Sequence, residues 1–299
     1  MEKSLSIIIP VYNEEKALPL VLPELLSFVK AHGYQLILVN DGSTDSTLDT
    51  LNSYVSGHTE CRIIHHKVNR GYGGAIKSGI WAARTDFLVT IDADGQHVLE
   101  DINRLFDQLK LKDADMVIGS RRGNKDASVI RGVGKKIIRW LAKRMMPMPI
   151  YDLNSGLKLY NTKLAQKYIT LCPNSMAFSD IIGLVFISQR HLVLEHPISI
   201  KARVEGESTI GVKTAFDTVL EILNMVILFN PMRIFLPLSL VFVVTGLIWA
   251  IQFLVVGKGL SNGAAFLISV GVIFFTIGLI SEQLSQLRKS GIINKEKNY

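Results

Sequence analysis

Two apolar patterns divide the chain near residue 232. Before it, short apolar runs alternate with amphipathic segments of helical length, which is typical of a parallel sheet covered by helices. Ligands of such sheets bind beyond the carboxyl ends of the strands, so we expect the site there. The predicted strands are Leu5–Val11, Gln35–Asn40, Arg62–His66, Phe87–Ile91 and Met116–Gly119, and the predicted helices are Glu14–Ala31, Ser46–Tyr54, Tyr72–Ala83 and Leu99–Leu111, with Asp45 and Ser46 as caps.

Two long apolar segments follow. Ile234–Val256 and Ala264–Leu284 are each long enough to cross a bilayer, and Glu282 is their one charged residue. Joined by the turn Gly257–Gly263, they predict a transmembrane hairpin rather than two buried core helices. We expect a cytosolic domain over residues 1–211, an interfacial linker helix over 212–232, the hairpin over 233–285 and a cytosolic basic tail over 286–299.

Charge and composition place the N-terminal domain. The chain is 48% hydrophobic, has a mean hydropathy of +0.28 and carries a net charge of +7, with Arg288, Lys289, Lys295 and Lys297 in the tail. Two crossings put both ends in one compartment, and the positive-inside rule makes it the cytosol. The short apolar run Leu5–Ile9 is no secretory signal. With Cys61 and Cys172 as the two cysteines, a disulfide scaffold or a zinc site is disfavoured, and we expect no nucleic-acid partner.

A basic segment precedes the hairpin in sequence. Arg131–Met146 carries six basic residues and no acidic one, and its apolar residues fall on one helical face. This combination predicts a helix on an anionic membrane surface, while a solvated basic face packed on the domain is the alternative. Arg121–Ser128 is predicted to be a polar loop that closes over a site, and Val212–Phe229 is a second amphipathic candidate.

Candidate chemistry begins at residues 90–96 (TIDADGQ), which place two carboxylates and an amide after an apolar strand. Carboxylates one residue apart in a bend can face a common point, and such oxygen ligands suit Mg²⁺ or Mn²⁺. An Asp-x-Asp pair alone is a weak signal, because many turns contain one. Its specificity depends on the motifs around it.

Three further motifs end the first three strands: residues 7–15 (IIIPVYNEE), 39–45 (VNDGSTD) and 69–75 (NRGYGGA). With residues 90–96, they resemble family-2 glycosyltransferases of the GT-A fold. Residues 119–121 (GSR), 152–156 (DLNSG) and 203–208 (RVEGES), followed by a hairpin, resemble the branch of dolichol-phosphate mannose synthases and bacterial polyprenyl-phosphate glucosyltransferases. The resemblance covers essentially the whole chain. It implies an α/β, Rossmann-like, mostly parallel sheet with helices on both faces, plus interfacial helices and the hairpin.

The resemblance also implies residue roles. Gly71 and Gly73 either let the backbone approach the nucleotide-sugar donor or make a tight strand-to-helix connection. Asp41 either binds the donor or closes an ordinary turn. Arg131 either binds the acceptor phosphate or is a surface charge. Lys135 stands where a small hydroxyl residue is expected, so the details of the contact with the acceptor phosphate stay open. The implied residues are Pro10, Tyr12, Glu14, Asp41, Gly71, Gly73, Lys77, Asp92, Ala93 and Asp94 for the nucleotide sugar; Asp92, Asp94 and Gln96 for the metal; Asp92, Asp94 and Arg121 for catalysis; and Arg131, Lys135 and Arg203 for the acceptor phosphate.

The activity implied is inverting sugar transfer from a nucleotide diphosphate donor, UDP-sugar before GDP-mannose, to undecaprenyl or dolichyl phosphate. Because a polyprenyl phosphate is ionised at neutral pH, positioning and charge stabilisation become the main catalytic tasks. The missing Gln-x-x-Arg-Trp signature favours a single transfer, and the glycine loop lacks a Walker A ending. Two alternatives stay open: another membrane lipid as acceptor, or a nonenzymatic nucleotide-sugar-binding membrane module. The membrane helices also allow a homo-oligomer.

Overall fold

A computed structural model describes residues 4–121, 150–201, 227, 230–257, 259 and 261–294. These residues belong to two compact units, one formed by 4–121 with 150–201 and the other by the C-terminal residues. The predicted basic helix Arg131–Met146 lies outside the described residues, as do Arg203, the loop Arg121–Ser128 after its first residue and Val212–Phe229 apart from Ile227.

The described part of the larger unit contains a sheet of seven strands: β1 Leu5–Val11, β2 Gln35–Asn40, β3 Cys61–His65, β4 Phe87–Thr90, β5 Met116–Ser120, β6 Lys158–Asn161 and β7 Val193–Pro197. Their order in the sheet is β3-β2-β1-β4-β6-β5-β7. Neighbouring strands are parallel except at β6, which is antiparallel to both β4 and β5. The interior strand β1 is buried almost throughout, which explains its mostly apolar sequence, since helices cover both faces of such sheets.

Six helices and one 3₁₀ turn are described in this unit. The first helix begins four residues later than predicted, because residues 14–17 form a turn in which Ala17 N–H donates to the Glu14 carbonyl. At the second helix, Asp45 Oδ1 accepts from Thr47 N–H and so acts as the predicted cap, whereas Ser46 makes no side-chain cap bond. The helices are α1 Leu18–His32, α2 Thr47–Val55, α3 Tyr72–Ala82, α4 Leu99–Lys112, α5 Thr162–Tyr168 and α6 Phe178–Ser188, and the 3₁₀ turn is Ile169–Leu171.

The predicted fold class is confirmed, and the five predicted strands differ from the observed ones by at most one residue at each end. Residues 150–201 add what the sequence pattern did not predict: β6, β7, α5 and α6. Among the described residues the sheet therefore has seven strands, and β6 lies between β4 and β5, which were both predicted as strands.

The smaller unit contains two long apolar helices, α7 Met232–Val255 and α8 Asn262–Asn294. Both have the length and hydropathy needed to cross a membrane. Glycines bring them together: a Cβ on Gly271 would lie 2.5 Å from Val243, and Phe242 stacks on Phe274 with ring centroids 5.5 Å apart. Helix α8 continues ten residues past the predicted end at Leu284.

Candidate active site

A cavity of about 350 Å³ opens where the carboxyl ends of β1, β2 and β4 meet. Seven of the residues predicted to bind the nucleotide sugar line it, and they come from three separate motifs. The lining residues are Pro10, Val11, Tyr12, Glu14, Asp41, Asn69, Tyr72, Ala75, Asp92, Ala93, Asp94 and Met176. Val11, Asn69, Tyr72, Ala75 and Met176 had no predicted role.

Asp41 follows β2 and is almost completely buried at the cavity wall. Its Oδ1 accepts from Arg70 N–H at 2.9 Å and lies 2.6 Å from Nδ1 of His66, whose Nε2 lies 2.8 Å from the Ser78 hydroxyl. A carboxylate accepts only, so His66 Nδ1 is the donor. These contacts fix the Asp41 carboxylate. They differ from the alternative in which the Asp41 side chain closes an ordinary turn. In the structure Asn40 closes that turn, because its Oδ1 accepts from Ser43 N–H.

Asp92 follows β4 and keeps 37% of its side chain accessible. Oδ1 accepts from the Tyr72 hydroxyl at 2.9 Å, and Oδ2 lies 3.7 Å from His97 Nε2. Burial raises the pKa of Asp92, but the nearby His97 ring, the Tyr72 hydroxyl and the charge of Lys158 outweigh it, so the pKa lies below that of an ordinary aspartate. Asp92 is therefore ionised at neutral pH.

The loop after β4 is a donor set of the kind hard divalent cations prefer. Asp92 and Asp94 reach the cavity, while Gln96 N–H donates to Asp94 Oδ1 at 3.1 Å and closes the turn. The buried Nδ1 of His97 has no partner in the described part of the chain. Ionised carboxylate oxygens beside a cavity fit Mg²⁺ or Mn²⁺. Gln96 is placed in the loop, but it is not among the lining residues.

The glycine loop before α3 packs against residues 173–175. A Cβ on Gly71 would lie 2.5 Å from the Asn174 carbonyl oxygen, and one on Gly73 would lie 2.5 Å from that of Pro173. Gly73 N–H donates to the Asn174 carbonyl, and the Lys77 ammonium donates to the Cys172 carbonyl and to Asn174. This packing accords with the tight connection that the sequence left open, and Gly71, Gly73 and Lys77 are not among the cavity-lining residues.

Arg121 follows β5 and forms a two-pronged ion pair with Asp152. Nε lies 2.7 Å from Oδ2 and NH2 lies 2.7 Å from Oδ1, while Arg121 N–H also donates to Oδ2. Burial raises the pKa of Asp152, but hydrogen bonds and the charge of Arg121 outweigh it and lower that pKa. Glu195 on β7 accepts from the backbone N–H groups of Tyr151 and Asp152, which fixes the pair further. Asp152 belongs to the motif of residues 152–156, for which the sequence analysis predicted no role.

Lys158 is fully buried in β6 and was not predicted. Its ammonium donates to the Ser155 carbonyl. Burial lowers the pKa of Lys158 to about 8, against the raising effects of Asp180, Asp152 and Asp92 in that order. No local pattern signals it, because a lysine in a four-residue strand looks like an exposed position.

A second group of possible ligand atoms lies away from the cavity. His58, Glu60 and Cys61 have ligand atoms within 4.8 Å of one another. Cys61 begins β3 and pairs with Leu36 at the beginning of β2, so the group lies at the opposite end of these strands from Asp41. Burial raises the pKa of the Cys61 thiol to about 12, which opposes the thiolate a metal would need.

Family models match two parts of the chain. The model described as glycosyl transferase family 2 matches residues 6–171, and the model described as GtrB C-terminal hairpin matches residues 230–287. The first match contains the whole cavity wall except Met176, and the second contains all of α7 and most of α8.

Curated relatives share these parts at moderate identity. A dodecaprenyl-phosphate galacturonate synthase from Rhizobium johnstonii is 30% identical, with 74% of this chain and 66% of the relative covered. An undecaprenyl-phosphate 4-deoxy-4-formamido-L-arabinose transferase from Photorhabdus laumondii is 28% identical over 95% of this chain and 90% of its own. A dolichyl-phosphate beta-glucosyltransferase from Dictyostelium discoideum is 29% identical, with 62% of each covered.

Solved structures show the same fold at lower identity. Glucosyl-3-phosphoglycerate synthase from Mycobacterium tuberculosis, in complex with Mn²⁺, UDP-glucose and phosphoglyceric acid, superposes with a TM-score of 0.56 at 16% identity, covering 75% of this chain and 80% of that one. The family model spans more than half of the sequence, and its match contains the cavity motifs. The chain therefore belongs to glycosyl transferase family 2.

Proposed function

We propose that this protein transfers a sugar, with inversion, from a nucleotide diphosphate donor to the phosphate of a polyprenyl phosphate at the cytosolic membrane face. The observation that supports it best is the cavity itself. Asp92 and Asp94, which follow β4, line the same space as Asp41 after β2 and Tyr12 after β1. An anionic donor bound there would have its nucleoside beside Asp41 and its diphosphate beside the β4 loop.

The donor side needs charge balance. Mg²⁺ or Mn²⁺ held by Asp92 and Asp94, with Gln96 beside them, would neutralise the charge that develops on the departing nucleotide diphosphate. Arg121 is fixed by Asp152 at the end of β5, where its guanidinium can face donor phosphate or the transferred sugar. We expect a UDP-sugar first and GDP-mannose second.

The acceptor is proposed to be an anion rather than an alcohol. All three relatives are named for phosphates of long isoprenoid lipids: dodecaprenyl, undecaprenyl and dolichyl phosphate. A phosphate oxygen is already ionised near neutral pH, so it can attack the anomeric carbon without a strong general base. Arg131, Lys135 and Arg203 remain the predicted contacts of this phosphate.

The hairpin explains how such a lipid would be reached. Extracting a long isoprenoid chain from hydrocarbon costs about 0.8 kcal/mol per CH₂ group. Helices α7 and α8 would keep the protein at the bilayer, where the phosphate headgroup already lies at the surface. The basic tail and the net charge of +7 favour the cytosolic side.

The test uses full-length protein in lipid nanodiscs with labelled UDP-sugars and GDP-mannose. Asp94→Asn is expected to abolish transfer to undecaprenyl or dolichyl phosphate while membrane insertion is unchanged. Asp107→Asn is the matched control, because Asp107 is 73% exposed on α4 and forms an ion pair with Lys110 one helical turn away. A chelator should stop transfer, and added Mn²⁺ or Mg²⁺ should restore it. Unchanged turnover of Asp94→Asn would refute the metal assignment.

The two alternatives give different results in the same assay. If the free polyprenol or a diacylglycerol becomes labelled and the phosphate does not, the acceptor is a neutral lipid hydroxyl and a general base is required. If the wild-type protein binds nucleotide sugars but labels no lipid, it is a nonenzymatic binding module.

A further inference from the structure

Lys158 occupies an unusual position for a lysine. It is fully buried in β6, where its backbone pairs with Thr90 on β4 and with Ile118 on β5. Asp92 lies two residues after Thr90, and Arg121 lies three residues after Ile118. Lysine is almost never fully buried unless its charge is paired, since removing the ammonium from water is costly. Its position behind the two strand ends therefore needs an explanation.

The ammonium is directed to the segment that supports Asp92. Lys158 donates to the Ser155 carbonyl, and the Thr90 hydroxyl donates to the next carbonyl, that of Gly156, at 3.0 Å. Gly156 packs directly against Asp92, because a Cβ there would lie 2.2 Å from Oδ2. The two hydrogen bonds thus fix the surface on which the Asp92 carboxylate rests.

Lys158 also supplies charge. The carboxylates that act on its ammonium are those of Asp180, Asp152 and Asp92. Asp152 is already bound to Arg121 through two contacts of 2.7 Å. Lys158 therefore offsets the negative charge of Asp92 and Asp180 from inside the sheet, where a low dielectric strengthens the effect.

We infer that Lys158 is a positioning residue for sugar transfer, which fixes the Ser155–Gly156 turn beneath Asp92 and lowers the repulsion between the site and its two anionic substrates. The inference rests on the proposed function, because both the donor diphosphate and the acceptor phosphate are negatively charged. Their approach to Asp92 and Asp94 is favoured by a fixed cation that cannot leave the interior.

The charge has opposite effects on metal and substrates. Without Lys158, the field of the carboxylates is no longer offset, so the free protein should bind Mn²⁺ more tightly. The same change should weaken donor and acceptor phosphate binding. A purely structural role predicts the opposite sign for the metal, since a disordered Asp92 binds Mn²⁺ less well.

The experiment compares Lys158→Met, which removes charge and hydrogen bond, with Lys158→Gln, which keeps a donor for Ser155 but no charge. Lys163→Met is the matched control on the exposed side of α5. Mn²⁺ binding is measured by electron paramagnetic resonance on substrate-free, full-length protein, and KM and kcat come from the transfer assay. We expect about tenfold tighter Mn²⁺ binding in Lys158→Gln, a smaller gain in Lys158→Met because Asp92 also loses its support, and about tenfold higher donor KM in both variants. The kcat should fall further in Lys158→Met than in Lys158→Gln.

A double variant, Lys158→Met with Asp180→Asn, tests the charge directly. It restores the net charge of the group formed by Lys158, Asp92, Asp152 and Asp180, so Mn²⁺ affinity and donor KM should return toward wild-type values. It also replaces the single variant if that one does not fold. Weaker Mn²⁺ binding in Lys158→Gln, or wild-type values in all variants, would overturn the inference. If wild-type protein transfers no sugar to polyprenyl phosphate, the proposed function fails, while the change in Mn²⁺ affinity can still be measured.

Discussion

Gly156→Ala is a one-carbon change aimed at the centre of the candidate site. The added Cβ would lie 2.2 Å from Asp92 Oδ2, 2.7 Å from Cγ and 2.9 Å from Oδ1. An ordinary contact needs about 3.4 Å or more, so the two groups must separate by roughly 1 Å. The Gly156 backbone resists movement because its carbonyl accepts from the Thr90 hydroxyl, so Asp92 is expected to move. Its bond from Tyr72 would then break.

The expected loss follows from that displacement. A misplacement of about 1 Å in catalytic geometry costs roughly 100-fold in rate, and we expect kcat for lipid glycosylation to fall by about that factor. Crowding in a packed interior should also lower the free energy of unfolding by about 1–3 kcal/mol. Initial rates of labelled sugar transfer, Mn²⁺ titration and thermal unfolding measure the three effects.

Gly183→Ala is the control for adding a methyl group to a buried glycine. Its Cβ would meet a leucine methyl, Leu153 Cδ2, at 3.0 Å and Ile118 Cδ1 at 3.5 Å, and flexible methyl groups can yield. In the middle of α6 the change also improves helix propensity by up to about 1 kcal/mol. If Gly156→Ala turns over within about a factor of three of wild type, Asp92 is not confined as the structure implies and the reasoning fails.

Two further changes test other parts of the structure. Arg121→Lys cannot reproduce the two 2.7 Å contacts to Asp152, so kcat/KM should fall by about 10- to 100-fold, as steady-state kinetics would show. Because the pKa of Asp152 is lower in the folded protein, the stabilisation by the Arg121–Asp152 pair is present above about pH 4 and is lost as pH falls through the folded pKa. The free energies of unfolding of wild type and variant should therefore converge at low pH. Burial raises the pKa of both Cys61 and Cys172 to about 12, so iodoacetamide at pH 8 should modify neither thiol until denaturant is added. Mass spectrometry detects the modification, and rapid modification of the folded protein would contradict the burial of these thiols.

The first half of the sheet could be predicted because its signals are local. Strands β1 and β2 are mostly apolar, each is followed by polar residues, and the observed bounds match the predicted ones. Parallel strands end at one edge, so Asp41 and Asp92 were expected near each other, and both line the cavity. Here the order of residues along the chain was enough.

The second half depends on distant partners. Asp152 meets Arg121 across 31 residues, and the pairing of Lys158 with Thr90 spans 68. A lysine within a four-residue strand raises no expectation of burial, since lysine is depleted in both strands and interiors. His97 adjoins the predicted metal loop, and its position next to that motif was a signal that sequence analysis could have used.

The direction of β6 explains why these unpredicted residues meet the predicted ones. A parallel strand between β4 and β5 would begin at the amino edge of the sheet, away from the cavity. Because β6 is antiparallel, its first residue lies near the carboxyl ends of its neighbours, and the preceding residues 152–156 reach the site directly. Asp152 then meets Arg121, and Gly156 meets Asp92. One reversed strand thus joins the predicted metal loop after β4 to the arginine after β5, so changes in residues 152–158 should alter catalysis even though none of them lines the cavity.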